Sequence, residues 1–150
     1  MYIRNNGLHI QDINEAKVEH VRWVKRANRL VSGHNTDINF IPVEETACNF
    51  GKWFYTHGIF LLRDEKYEAL MERIGELHIQ VHNYYRNIYN IYFVSPENRS
   101  FLKKIVTFSS KKVSTKDKEK AVGAFKSLEE TSTQLLESLE ELKSALKAYK

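Results

Sequence analysis

At 150 residues the chain is the size of one domain. Its 42% hydrophobic content, with only six glycines and two prolines, points to packed helices rather than a strand-and-turn fold. A net charge of +4 is modest, and the densest basic stretch, residues 111–120, interleaves Asp117 and Glu119 and carries no stacking aromatics, which argues against a nucleic-acid surface.

Other classes fall away as quickly. The best candidate for a membrane span, residues 54–62, is far shorter than the roughly 18–20 apolar residues a helix needs. Residues 1–6 contain no apolar run of the kind a signal peptide carries. One cysteine cannot build an intrachain disulfide framework and suits a reducing compartment. The expectation is a cytoplasmic all-α protein, one domain over residues 1–150 with its core over about 12–150.

In chain order, the first helix is expected over about 12–31, with Gly33 as the residue that ends it. Ile13, Ala16, His20, Val24, Ala27 and Val31 recur at three- and four-residue steps, so they share one apolar stripe. A polar loop follows over 34–42. A short helix should begin near 42–44, carry Cys48, Gly51 and Trp53, and end near Gly58. The next helix reads over about 64–94, with Tyr67, Leu70, Met71, Ile74, Leu77, His78, Val81, Tyr85 and Ile88 facing inward. Ser95 as N-cap and Pro96 as first helical residue predict another helix over 97–109. The last helix, about 115–149, repeats Ala121, Phe125, Leu128, Ser132, Leu135, Leu139, Leu142, Leu146 and Tyr149 in alternating four- and three-residue steps. That heptad seam suits either an ordinary bundle helix or an intermolecular coiled coil. The fold class is a four-helix bundle with an additional short helix and a long C-terminal heptad helix.

Four side chains in these elements could ligate a metal: His20, Cys48, His78 and His82. Three imidazoles and a thiolate suit tetrahedral Zn²⁺. His78 and His82 stand four apart, only about 40° apart around a helix, so one face can present both to one ion. His20 and Cys48 must come from two other elements, as metal ligands do in bundle cores. Each residue also has a plain structural reading. A histidine on an apolar stripe is ordinarily a hydrogen-bonded core residue, a single cysteine is ordinarily a small buried hydrophobe, and Trp23 and Trp53 are ordinarily core. By spacing alone, both readings stand. His9 and His34 read as exposed, and His57 is the substitute should one of the four be misassigned.

Several other metal chemistries are excluded. No histidine follows a glutamate by three residues, as di-iron carboxylate bundles require, and none precedes one by four. Ile79 occupies the position of the general base in a His-Glu-x-x-His zinc protease. Four protein ligands would also close the shell that a catalytic zinc keeps open. No enzymatic activity is expected.

The segments His20-Val21-Arg22-Trp23, Cys48-Asn49-Phe50-Gly51-Lys52-Trp53 and His78-Ile79-Gln80-Val81-His82 resemble, in wording and order, the chemoreceptor zinc-binding domain family. The similarity runs from about residue 13 to residue 85. It implies one Zn²⁺ held by His20, Cys48, His78 and His82; beside these, Trp23, Phe50 and Trp53 are expected to supply a dry apolar shell and Gly51 to permit close approach of a neighbouring helix. It further implies a regulatory module, often a homodimer, attached to chemoreceptors or diguanylate cyclases in chemotaxis or cyclic-di-GMP signalling. Such a module senses zinc or oxidants such as hypochlorous acid, with Cys48 as the redox-sensing ligand. Neither a cyclase motif nor a long chemoreceptor hairpin accompanies these segments, so output is expected through a partner or an attached protein. The rival readings are a purely structural zinc bundle and a metal-free helical interaction module.

Overall fold

The computed structural model describes residues 5–34, 44–94 and 113–148. These residues form an all-α fold with no strand among them: α1 (Asn6–Val31), α2 (Asn49–Trp53), a π-helical turn (Phe54–Gly58), α3 (Ile59–Leu62), α4 (Glu68–Phe93) and α5 (Thr115–Ala148). The helix expected over 97–109 lies outside the described residues.

Helix α1 begins six residues before the sequence pattern suggests, because Asn5 caps it. The Asn5 Oδ1 accepts the Gly7 amide at 2.6 Å, satisfying one of the donors that a helix N-terminus leaves open. The added turn puts His9 on the buried stripe, which reads His9, Ile13, Ala16, His20, Trp23, Ala27 and Leu30. His9 is therefore buried, not exposed. Trp23 and Leu30 point inward where Val24 and Val31 were expected; both valines are only partly covered. At the other end Gly33 has φ +90, the left-handed conformation that glycine alone adopts without cost. Its amide reaches the Leu30 carbonyl at 3.1 Å while the His34 amide reaches Arg29 at 2.9 Å, so the last carbonyls of α1 are satisfied as in a Schellman cap.

Cys48 is not inside a helix. It is the N-cap of α2, with extended backbone (φ −79, ψ 157). The chain passes from α2 through the π-helical turn into α3 without leaving a helical path, and Thr56 Oγ1 donates to the Lys52 carbonyl at 2.5 Å within it. Helix α4 begins at Glu68 rather than near 64, since Asp64 is used in the preceding turn, accepting the Tyr67 and Glu68 amides at 2.9 Å through its carbonyl.

Helix α5 packs against both α4 and α1. Ala121, Leu128, Ser132, Leu135, Leu139, Leu142 and Leu146 are buried in this chain's own core, and Phe125 packs partly against it. The heptad seam is thus consumed as an ordinary bundle helix. Polar ties fix the register: Lys17 pairs with Glu140, Arg73 reaches Glu141 at 2.6 Å and Ser138 at 3.2 Å, and Asn6 donates to the Leu146 carbonyl at 3.0 Å. One contiguous apolar core runs through the bundle, and the candidate ligands sit inside it.

Candidate metal centre

The inward stripe of α1 carries His20 into the core, and the inward face of α4 carries His78 and His82. The ligand atoms of these three histidines lie within 4.8 Å of one another. The turn before α2 brings Cys48 to the same place: its Sγ is 3.2 Å from His78 Nε2. All four residues are 1% exposed. A tetrahedral zinc ion, at about 2.0–2.1 Å from nitrogen and about 2.3 Å from sulfur, spaces its donors by roughly 3.3–3.6 Å; the Cys48–His78 pair is near that spacing, and the three histidine donors must draw closer than their 4.8 Å spread to share one ion.

The decisive detail is the state of His20. Its Nδ1 lies 2.9 Å from the Ala16 carbonyl, and a carbonyl only accepts, so Nδ1 carries the proton. Nε2 therefore presents a lone pair toward the cluster, where it is buried with no hydrogen-bond partner. A buried polar atom left unsatisfied costs about 1–3 kcal/mol. Metal-ligating histidines characteristically tether one ring nitrogen to a carbonyl and offer the other to the ion. The donor set and this orphaned nitrogen fit zinc.

Local sequence explains why Cys48 can sit so close. A Cβ built on Gly51 would lie 1.8 Å from the Glu45 carbonyl oxygen, so only glycine permits the turn 44–48 to fold back onto α2. Gly51 thus accommodates its own preceding turn, not the neighbouring helix anticipated from sequence. The same arrangement lets the Gly51 amide donate to Cys48 Sγ at 3.2 Å, and the Glu45 carbonyl lies 3.3 Å from that sulfur.

Electrostatics follow from burial. Without metal, desolvation lowers His20 to about 4, although the Ala16 hydrogen bond pulls the other way. Desolvation, then the neighbouring His20 and His82, lower His78 to about 2. Burial raises Cys48 to about 11 against the opposing Gly51 amide, with the nearby Glu19 charge adding to the rise. At neutral pH His20 and His78 are uncharged bases ready to coordinate, while Cys48 holds a proton it must release to act as a ligand.

Around the cluster, the Trp23 ring centroid stands 4.7 Å from His20 and 5.8 Å from His82. Phe50 stands 4.3 Å from His78 and 5.9 Å from His20. Trp53 is one layer further out, 5.5 Å from Phe50. Toward α5, Val24, Val81, Tyr85 and Leu128 join His20, Trp23 and His82 around a cavity of about 10 Å³, at the lower limit for a single water. His34 is exposed and His57 half-buried, and neither belongs to the histidine cluster.

Residues 20–89 match the family model of the chemoreceptor zinc-binding domain. This part of the chain is a chemoreceptor zinc-binding domain. The match spans His20, Cys48, His78 and His82 and stops before α5. Zn²⁺ is its cofactor. No curated protein and no solved structure matches the chain. Among the described residues, no helix is long and apolar enough to cross a membrane.

Sequence reasoning missed three residues around this zinc-binding domain's centre: His9, Glu19 and Arg86. His9 accepts the Trp53 indole N–H at 3.0 Å through Nδ1; the Asn5-Asn6-Gly7 start, read as a cap, reveals it through the four-residue step to Ile13. Glu19 accepts from Asn49 Nδ2 at 2.9 Å. Arg86 approaches Glu44 and Glu45 at 3.4 and 3.6 Å. Those pairings join distant segments, so no local pattern announces them.

Proposed function

We propose that the chain is a cytoplasmic sensory module in which His20, Cys48, His78 and His82 together hold one Zn²⁺ and whose metal occupancy is the signal. The observation that carries this reading is the buried, partnerless His20 Nε2, already oriented by Ala16. Bound zinc supplies the positive centre that holds three separate elements in one arrangement. His20 fixes α1, the His78/His82 pair fixes α4, and Cys48 fixes the start of α2. With four protein ligands the shell is closed, and we assign no catalytic step.

Cys48 is the ligand whose loss reports an oxidant. As a thiolate it takes the oxygen of hypochlorous acid, becoming a sulfenic acid while chloride leaves, and thereby ceases to be a good ligand. The turn 44–48 is then free to move relative to α1 and α4. Because the α5 seam is buried within the chain, a homodimer or an attached chemoreceptor or cyclase would receive the change through other surfaces, in chemotaxis or cyclic-di-GMP signalling.

The test is zinc content by mass spectrometry on untagged protein purified without chelator. About one zinc per chain is expected, reduced in Cys48→Ala and in His82→Ala. Metal content that ignores both substitutions contradicts the four-ligand site. A purely structural zinc site is the second reading, favoured by the near-complete burial of Cys48. Zinc retained unchanged through a hypochlorous acid titration decides for it.

A further inference from the structure

The three histidines come from long helices packed along the core, but Cys48 comes from a turn. Two polar pairs join that turn to the helices that carry the histidines. On one side Asn49, the residue after Cys48, donates to Glu19, the residue before His20, at 2.9 Å. On the other, Arg86, one turn beyond His82, approaches Glu44 at 3.4 Å and Glu45 at 3.6 Å. Arg86 is itself steadied by Asn83, whose Oδ1 accepts from it at 3.0 Å. Glu45 transmits this hold directly, since its carbonyl lies 3.3 Å from Cys48 Sγ and abuts Gly51 so closely that no Cβ fits between them.

We infer that Glu19–Asn49 and Arg86–Glu44/Glu45 are two straps that hold the Cys48 turn closed on the histidine cluster, and so govern how readily Cys48 leaves it. Glu19 and Arg86 are positioning residues, acting on Cys48 through Asn49, Glu44 and Glu45. Each strap is polar and at least partly solvated, with Arg86 and Glu45 side chains both 26% exposed, so each is weak alone. Such a hold suits an element that must open without unfolding the bundle. The consequence for zinc rests on the proposed role of Cys48 as a ligand; the straps themselves do not.

The first measurement is the rate at which a maleimide labels Cys48 in the chelator-treated 150-residue chain, where the thiol is otherwise buried. Glu19→Ala and Arg86→Ala should each speed labelling by about two- to five-fold, the range expected for solvated polar pairs. Glu19→Gln, which keeps the acceptor but removes the charge, and Arg86→Lys should stay closer to wild type. Unchanged labelling in both alanine variants overturns the inference, as does Glu19→Gln behaving like Glu19→Ala, because charge rather than the strap would then be acting. The second measurement is zinc release to a chromophoric chelator. Arg86→Ala should accelerate it in the wild-type background but not in Cys48→Ala. Equal acceleration in both backgrounds overturns the claim that the strap acts through Cys48. Should Cys48→Ala itself leave zinc release unchanged while the straps still govern labelling, the zinc-ligand role of Cys48 fails and the straps stand.

Discussion

Cys48 Sγ lies 3.2 Å from His78 Nε2 across thirty residues of sequence, and it is placed there by a turn that tolerates no side chain at position 51. The contact depends on the Glu45 carbonyl filling the space where a residue-51 Cβ would be. Ligand geometry and backbone geometry are therefore one constraint.

Gly51→Ala should accordingly be far worse than an ordinary glycine-to-alanine change, which in a helix is often favourable. The obstacle is backbone, so α2 or the turn 44–48 must shift. We expect about 1–3 kcal/mol of destabilisation, as for overpacked cores, together with weakened zinc binding. Denaturant unfolding and zinc titration of the variant check both; a variant with wild-type zinc affinity contradicts this account of the turn.

Zinc should stabilise the fold, because the unfolded chain does not hold the donors together. At free zinc about 100 times the dissociation constant, the gain is about 2.7 kcal/mol. Chelation should reverse it, and the gain at a fixed zinc concentration should shrink in His20→Ala and Cys48→Ala. Melting curves with and without zinc read this out, and a midpoint indifferent to zinc in the wild type argues against the site.

The metal-free protein should lose stability in acid through its buried histidines. Their folded values, about 4 for His20 and about 2 for His78, lie below the roughly 6.5 of an unfolded histidine. Below pH 6.5 the unfolded chain therefore takes up protons that the folded chain refuses, and stability falls as pH falls. His20 alone accounts for about 3 kcal/mol by pH 4, at about 1.4 kcal/mol per pH unit, while the slope from both groups fades as pH rises past the unfolded value. Urea midpoints in chelator at pH 7.5, 6.5, 5.5 and 4.5 should decline stepwise. A midpoint flat from pH 7.5 to 4.5 would contradict buried neutral imidazoles.

His9 and Trp53 offer a purely structural contrast. His9→Leu leaves the buried Trp53 N–H without the acceptor it has at 3.0 Å, at a cost of about 1–3 kcal/mol. Adding Trp53→Phe removes the stranded donor and should recover part of that loss. Zinc affinity should stay near wild type in His9→Leu, because His9 lies outside the ligand cluster. A large loss of zinc affinity would place His9 in the metal site instead.

Much of this molecule is written in its one-dimensional pattern. The three- and four-residue steps of α1, α4 and α5 determined which faces turn inward, apart from the one-position shift from Val24 and Val31 to Trp23 and Leu30 in α1, because a helix of 3.6 residues per turn leaves little choice. The same periodicity put His20 and His78 on inward faces, and the four-residue step from His78 set His82 beside it. The resemblance carried by the segments around Cys48 and the histidines named zinc. What only the tertiary structure decided involves residues far apart in the chain. Whether the α5 seam packs within the chain or against another depended on the apolar faces of α1 and α4 being there to receive it. The place of Cys48 at an N-cap depended on a carbonyl meeting a glycine, and its attachment depended on Glu19 and Arg86, whose partners lie thirty and about forty residues away. Periodicity encodes orientation about a helix axis; it carries no information about which distant polar groups the packed helices bring together.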